Sequence, residues 1–132
     1  MIFVDTSFWV AVRNRRDGHH HEAQRLLSDA GGAPLITSNL VRGETWTFLR
    51  RRAGHAGAMN FLDSLERTDR LEIVPVSPEL EDRAWSWLRK HDERTYSFVD
   101  ATSFALMRSM KIKDALAFDG DFSAAGFREL RP

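Results

Sequence analysis

Cysteine is absent from this 132-residue chain, so neither a disulfide framework nor a thiolate zinc site is possible. An excess of one charge is absent too: 19 Lys and Arg balance 19 Asp and Glu. No global field therefore draws nucleic acid, and any such contact must come from local clusters. No apolar run approaches the roughly 18 residues of a membrane span. The start, Met1-Ile2-Phe3-Val4-Asp5, is not a signal peptide, so a soluble, cytoplasmic protein with no membrane partner is expected. Repeats and low-complexity linkers are also missing. Residues 1–132 thus read as one domain, long enough to bury about two thirds of its unfolded surface.

What is present alternates between strand and helix. Ile2-Phe3-Val4 is a short, wholly apolar run of the kind covered on both faces in parallel sheets. Pro34 to Thr37, Leu71 to Val74 and Ala115 to Phe118 read as the second, third and fourth strands, and Phe127 to Leu130 offers a fifth. Between them lie helical stretches: Phe8 to Val12, His20 to Ser28, one capped by Ser38 or Asn39 and running to about Arg52, and one with Ala58, Phe61, Leu62 and Leu65 on its stripe. Gly54 separates the last two. Ser77-Pro78 is an N-cap followed by proline at the first helical position, opening a helix to about His91. This order predicts an α/β fold, a parallel sheet of four to five strands flanked by helices.

The helix beginning near Ser97 is apolar almost all round, with Phe98, Val99, Ala101, Phe104, Ala105, Leu106 and Met107. Such a helix is buried, yet Asp100 stands in its first turn. A buried carboxylate must be hydrogen-bonded, charge-paired or metal-bound. Ser97-x-x-Asp100 fits a capping box, which by itself would satisfy Asp100. Other acids occupy equally unusual places. Asp5 ends the first strand, and Asp119 and Asp121 follow the fourth, where open parallel sheets bind ligands. Asp5 and Asp121 also fit helix N-caps, and Asp119-Gly120 fits a turn. Glu44 falls, on a helical wheel, inside the apolar band of Leu40, Val41 and Phe48, either paired with an arginine or part of a site. Carboxylates gathered from four elements would repel one another in a low dielectric. A hard divalent cation relieves that, and an all-oxygen donor set points to Mg²⁺ or Mn²⁺.

Together, Asp5-Thr6-Ser7 after the first strand, Glu44 in the third helix, Asp100 within Ser97-Phe98-Val99-Asp100-Ala101, and Phe118-Asp119-Gly120-Asp121-Phe122 resemble PIN-domain ribonucleases. The resemblance covers essentially the whole chain and is to the VapC toxins of type II toxin–antitoxin pairs. The stretches Tyr96 to Ala105 and Phe118 to Phe127 are similar to a VapC subgroup that cuts the sarcin–ricin loop of large-subunit ribosomal RNA; other members cut tRNA. The resemblance implies a metal-dependent endoribonuclease whose catalytic quartet is Asp5, Glu44, Asp100 and Asp119. It implies metal ligation by Asp5, Asp100 and Asp119 with Asp121 as accessory, and hydroxyl support from Thr6 or Ser7. The implied partners are a VapB antitoxin, a second copy of the chain and the RNA. Ala117 departs from the family's usual Thr or Ser at its place, which removes one expected hydrogen bond to Asp119.

Further residues carry expectations of their own. Arg13, Arg15 and Arg16 after the first helix, and Arg50 and Arg51 after the third, are candidate phosphate contacts, since a neutral protein acting on RNA needs local basic patches. His19-His20-His21 is expected to be a solvated helix start. Trp87 falls on a core stripe, whereas Trp46 and Trp85 project away from theirs and are candidates for a dimer or antitoxin interface. Three other function classes fit less well. An aspartyl-phosphate phosphatase would need an acid where Ser7 stands. A non-catalytic PIN-fold binding module has no reason to keep buried like charges. A nucleotide-binding Rossmann domain needs a glycine-rich loop after its first strand, and none is present.

Overall fold

The computed structural model describes residues 1–132. Its centre is a five-stranded, wholly parallel sheet built from β1 (Ile2–Val4), β2 (Leu35–Ser38), β3 (Leu71–Val74), β4 (Asp114–Leu116) and β5 (Arg128–Glu129), in the order β3-β2-β1-β4-β5. Phe3, Val4, Ile36, Ala115 and Leu116 are buried, as continuous apolar runs in a two-sided sheet require. The chain winds outward from β1 through β2 to β3, then returns to place β4 on the other side of β1. The strand order therefore reverses between β1 and β4, the place where such sheets open a ligand crevice.

The helices are α1 (Thr6–Arg13), α2 (His20–Asp29), α3 (Asn39–Glu66), α4 (Pro78–Lys90), α5 (Phe98–Ser109) and the single turn α6 (Asp121–Ala124). Side-chain caps fix four starts: Asp5, Ser38, Ser77 and Ser97 each accept an amide of the first turn, worth typically about 1 kcal/mol apiece. The two halves of α3 meet at Gly54, whose φ of 77° is one that residues with a side chain rarely adopt. The expected break is thus a kink in one long element. α5 is buried from Asp100 to Met107, and Trp87 of α4 packs edge-on to Tyr96 and Phe104 at 4.6 and 5.1 Å.

Four expectations need correcting. Asp121 is the first residue of α6, and Gly120, with φ 81°, takes the N-cap position instead. Glu44 is exposed, because the buried stripe of α3 runs through Val41, Thr45 and Leu49. Thr45, polar and so left out of the apolar band, occupies the stripe's centre and donates its hydroxyl to the Val41 carbonyl at 2.7 Å. Leu40, Glu44 and Phe48 form its flank. Trp46, on the other flank, is half-buried against the core rather than projecting from it. Of the three histidines, His19 and His21 are exposed as expected, but His20 is buried and its Nδ1 donates to the Ala11 carbonyl at 2.7 Å, tying α2 to α1.

Candidate functional site

The parallel register Phe3 to Ala115 and Val4 to Leu116 brings the carboxyl ends of β1 and β4 side by side. The Asp5 amide continues the pairing by donating to the Leu116 carbonyl at 3.0 Å. Asp5 and Asp119 consequently leave adjacent strands at the same edge, and the start of α5 packs Asp100 beside them. Asp5, Ser7, His19, Glu44, Asp100 and Asp119 line one cleft of about 450 Å³. A larger cleft of about 890 Å³ lies at the opposite end of the sheet, among Lys111, Lys113 and Arg128. Its single acid, Asp114, is already paired with Arg128 at 2.8 Å, so the larger cleft offers no free carboxylate.

Each of three aspartates there is clamped through one oxygen. Asp5 Oδ2 accepts from the Ser7 amide at 3.1 Å and the Ser7 hydroxyl at 2.7 Å. Asp100 Oδ2 accepts from the Ser97 amide at 3.0 Å, while the Asp100 amide donates to Ser97 Oγ at 2.9 Å. Asp119 Oδ1 accepts from the Asp121 amide at 3.1 Å. Capping contacts at α1 and α5 orient one oxygen of Asp5 and one of Asp100, and a turn contact orients one of Asp119, which leaves Asp5 Oδ1, Asp100 Oδ1 and Asp119 Oδ2 without a protein donor.

Electrostatics follow from this crowding. Asp5 is 2 % exposed. Burial first, then the Asp119 and Asp100 charges, push its pKa up to about 8, against the two Ser7 hydrogen bonds. Asp100, 8 % exposed, is pushed up to about 6 by burial, with Asp119 and Asp121 adding to the rise. Asp119, at the rim, is also raised, by desolvation and then by Asp121 and Glu129. Oxygens of Asp100, Asp119 and Asp121 lie within 4.8 Å of one another. At an effective dielectric near 20, each ionised pair at that distance repels by roughly 3–4 kcal/mol. The exposed Arg94–Asp121 ion pair, at 2.9 Å, returns at most about 1 kcal/mol. A divalent cation fits this donor set. The free oxygens are carboxylates, hard ligands suited to Mg²⁺ or Mn²⁺. The cleft also holds the hydroxyl of Thr6, which is buried and has no protein partner.

The sequence-predicted residues thus divide. Asp5, Ser7, Glu44, Asp100 and Asp119 come together at the cleft; Asp121 joins Asp100 and Asp119 but is shared with Arg94. Of the two candidate hydroxyls, that of Ser7 is the one bonded to Asp5, and its Oγ also accepts the Phe118 amide at 3.0 Å. Arg13, Arg15, Arg16, Arg50 and Arg51 are exposed, as a phosphate contact requires, but none lines the cleft.

Two residues that shape or line the cleft escaped the sequence reading. Glu129 has a side chain only 2 % exposed; it accepts the Gly120 and Ser123 amides at 3.3 and 2.9 Å and so shapes the Asp119–Asp121 loop. His19 lines the cleft although it is itself exposed and stands in a polar Asp17-to-Glu22 stretch, a pattern that carries no signal.

Comparison with known proteins places this geometry. The PIN domain family profile matches residues 2–128. The chain is 54% identical over 133 residues to the Mycobacterium tuberculosis proteins described as 23S rRNA-specific endonuclease VapC20, in strains CDC 1551 and H37Rv, covering 100% of this chain and 99% of theirs. The crystal structure of Mycobacterium tuberculosis VapC20, described as a sarcin–ricin loop cleaving toxin, superposes with a TM-score of 0.94 at 52% identity, covering 100% of both chains. The chain therefore belongs to the PIN-domain family, on its VapC branch.

Proposed function

We propose that this chain is a metal-dependent endoribonuclease toxin that cuts the sarcin–ricin loop of 23S ribosomal RNA, with tRNA as the next substrate in order. The observation that carries the reading is the set of three aspartates, each clamped through one oxygen with the other free, at the reversal point of a parallel sheet. The name of the 54%-identical relative supports the ribosomal target.

Asp5, Asp100 and Asp119 would hold Mg²⁺ or Mn²⁺, with Asp121 contributing when released from Arg94. A bound cation supplies charge opposite the scissile phosphate and acidifies water. The protein's own part is orientation and proton transfer. Ser7 holds the Asp5 carboxylate by amide and hydroxyl, and the Ser97 cap holds Asp100. Glu44, exposed at the mouth and free to turn, takes the proton of the water that attacks phosphorus as a P–O ester bond breaks. Arg13, Arg15, Arg16, Arg50 and Arg51 neutralise flanking phosphates.

The partners follow from the VapC branch: a VapB antitoxin and a second copy of the toxin, acting in the cytoplasm. Trp85 is 46% exposed and stacks on Phe98 at 4.3 Å. Phe98 borders an apolar groove with Leu40, Phe48 and Val99, a surface suited to such a contact. Trp46, half-buried, contributes less.

Cleavage by the purified chain on intact ribosomes and on bulk tRNA tests the reading, with Mg²⁺, Mn²⁺ or chelator and with Asp5→Asn and Asp100→Asn controls. One discrete large-subunit rRNA fragment that needs metal and both aspartates is expected. Cleavage confined to tRNA would replace the target, and RNA binding without cleavage in any metal would overturn the enzyme.

A further inference from the structure

The ring of His19 lies flat on that of Phe118, with centroids 4.4 Å apart and planes 4° apart. Phe118 is the residue before Asp119, and its own ring is near-parallel to Phe8 at 5.8 Å and 20°. It also lies 5.1 Å from the Arg131 guanidinium. The base of the stack is therefore anchored in the core, because Phe8 is fully buried.

His19 is held in this pose at three points. Its amide donates to Asp17 Oδ1 at 2.8 Å, and its Nδ1–H donates to Glu22 Oε1 at 3.1 Å. The third point is the ring contact with Phe118. Glu22 is itself 4.0 Å from Arg131, which donates to the Ala117 carbonyl at 2.8 Å and to Glu129 at 3.0 Å. The imidazole is thus linked to the same loop that carries Asp119.

Even so, half of the His19 side chain, 51%, stays exposed. With one face on Phe118 and the Nδ1 edge on Glu22, the open part is the second face and the Nε2 edge, and His19 lines the cleft with Asp5 and Asp119. A rigid aromatic face open to solvent beside acidic residues is a poor surface for an anion. It is a good one for a base. Unpaired RNA bases splay out and stack on aromatic rings, histidine included, and stacking is a recurrent source of affinity for single-stranded segments. Flatness and fixed orientation reduce the ordering cost of such a contact.

We propose that His19 is the stacking platform for a nucleobase next to the scissile phosphodiester, so that the His19–Phe118 stack sets where along an RNA loop the acids cut. This rests on the ribonuclease reading above and adds a substrate-positioning residue to it.

The test uses a stem-loop RNA carrying the sarcin–ricin sequence, with 2-aminopurine placed in turn at each nucleotide flanking the cut. Binding is read by fluorescence in Ca²⁺ and cleavage in Mg²⁺, for wild type, His19→Ala, His19→Phe and His19→Trp. One flanking 2-aminopurine is expected to be quenched by wild type and released in His19→Ala. KM rises roughly tenfold in that variant, the effect of losing one modest base stack, while kcat stays within about threefold. Phe and Trp restore most of both signals.

Three results overturn the proposal. In the first, His19→Ala cleaves and quenches like wild type, which leaves the ribonuclease intact and removes the stack. In the second, His19→Phe loses kcat as severely as His19→Ala, which makes His19 a proton donor. In the third, wild type neither binds nor cuts this RNA, while cutting of tRNA is unaffected by His19→Ala.

Discussion

Ser7 and Phe118, 111 residues apart, are joined by a single hydrogen bond: the Phe118 amide donates to Ser7 Oγ at 3.0 Å, and that hydroxyl donates onward to Asp5 Oδ2 at 2.7 Å. One hydroxyl thus connects β4, which leads to Asp119, with the acid that ends β1. Ser7→Ala leaves the Phe118 amide without its partner and Asp5 with only the Ser7 amide. The loss expected is about 1–3 kcal/mol of stability, read as a lower midpoint in urea, together with a larger fall in kcat than in RNA affinity. Ser7→Thr, which keeps the hydroxyl, should recover most of both. Equal midpoints for Ser7→Ala and wild type would show that the bridge holds nothing.

The raised pKa values of Asp5, about 8, and Asp100, about 6, against an ordinary 3.8, have a sign that can be measured. Between pH 4 and 8 the folded protein holds more protons than the unfolded chain. Its stability therefore falls as pH rises through that window and levels off above it. In EDTA, Tm should drop between pH 5 and pH 8. Mg²⁺ should raise Tm by about 5 °C or more at pH 8 and by much less at pH 5, where protons compete for the same oxygens. A metal-free Tm that climbs over this range would contradict the proposed crowding of acids.

Asp5→Asn separates stability from function at that same carboxyl. Asparagine keeps an oxygen for the Ser7 donors but carries no charge to desolvate. At pH 8 without metal, the variant should melt higher than wild type, as expected where an active site stores unfavourable electrostatics. Its cleavage rate should fall by roughly a hundredfold or more if Asp5 holds the cation as proposed, since that ligand is then lost. A variant less stable than wild type at pH 8 would argue that the Asp5 charge is already compensated within the protein.

Glu44 behaves differently because it is exposed. Glu44→Gln should leave Tm and the Mg²⁺-induced rise in Tm unchanged while lowering kcat by about 10²–10⁴, the usual contribution of general-base catalysis. Loss of the Mg²⁺ response in this variant would reassign Glu44 from proton acceptor to metal ligand.

How much of this could be read from residues alone depends on which physical signal each carried. Strand runs such as Ile2–Val4 and caps such as Ser77-Pro78 act locally, and they stand where the pattern placed them. Asp100 was legible because a charge in an apolar helix is conspicuous. Glu44 led to the right cleft for a mistaken reason: it was placed in the buried stripe, but Thr45 occupies the centre of that stripe. A threonine can be buried by returning its hydroxyl to the preceding turn, and hydropathy does not register that. His19 was opaque, since its position rests on a contact with Phe118, 99 positions away by number, and no periodicity encodes it.

Glu129 shows what long-range acceptance does for the site. Both of its oxygens are engaged, Oε1 by the Gly120 amide at 3.3 Å and Arg131 at 3.0 Å, and Oε2 by the Ser123 amide at 2.9 Å. Its charge also raises the Asp119 pKa, so it works against the ionised cluster while shaping the loop that carries it. Glu129→Gln turns one acceptor into a donor facing an amide or a guanidinium. The loop should loosen, with a stability loss of about 1–3 kcal/mol. The Mg²⁺ concentration giving half-maximal cleavage should rise severalfold, and cleavage at saturating Mg²⁺ should approach the wild-type rate. That split separates a residue that positions Asp119 from one that takes part in the reaction, for which added metal would restore nothing. An unchanged Mg²⁺ requirement together with a lower Tm would confine Glu129 to folding.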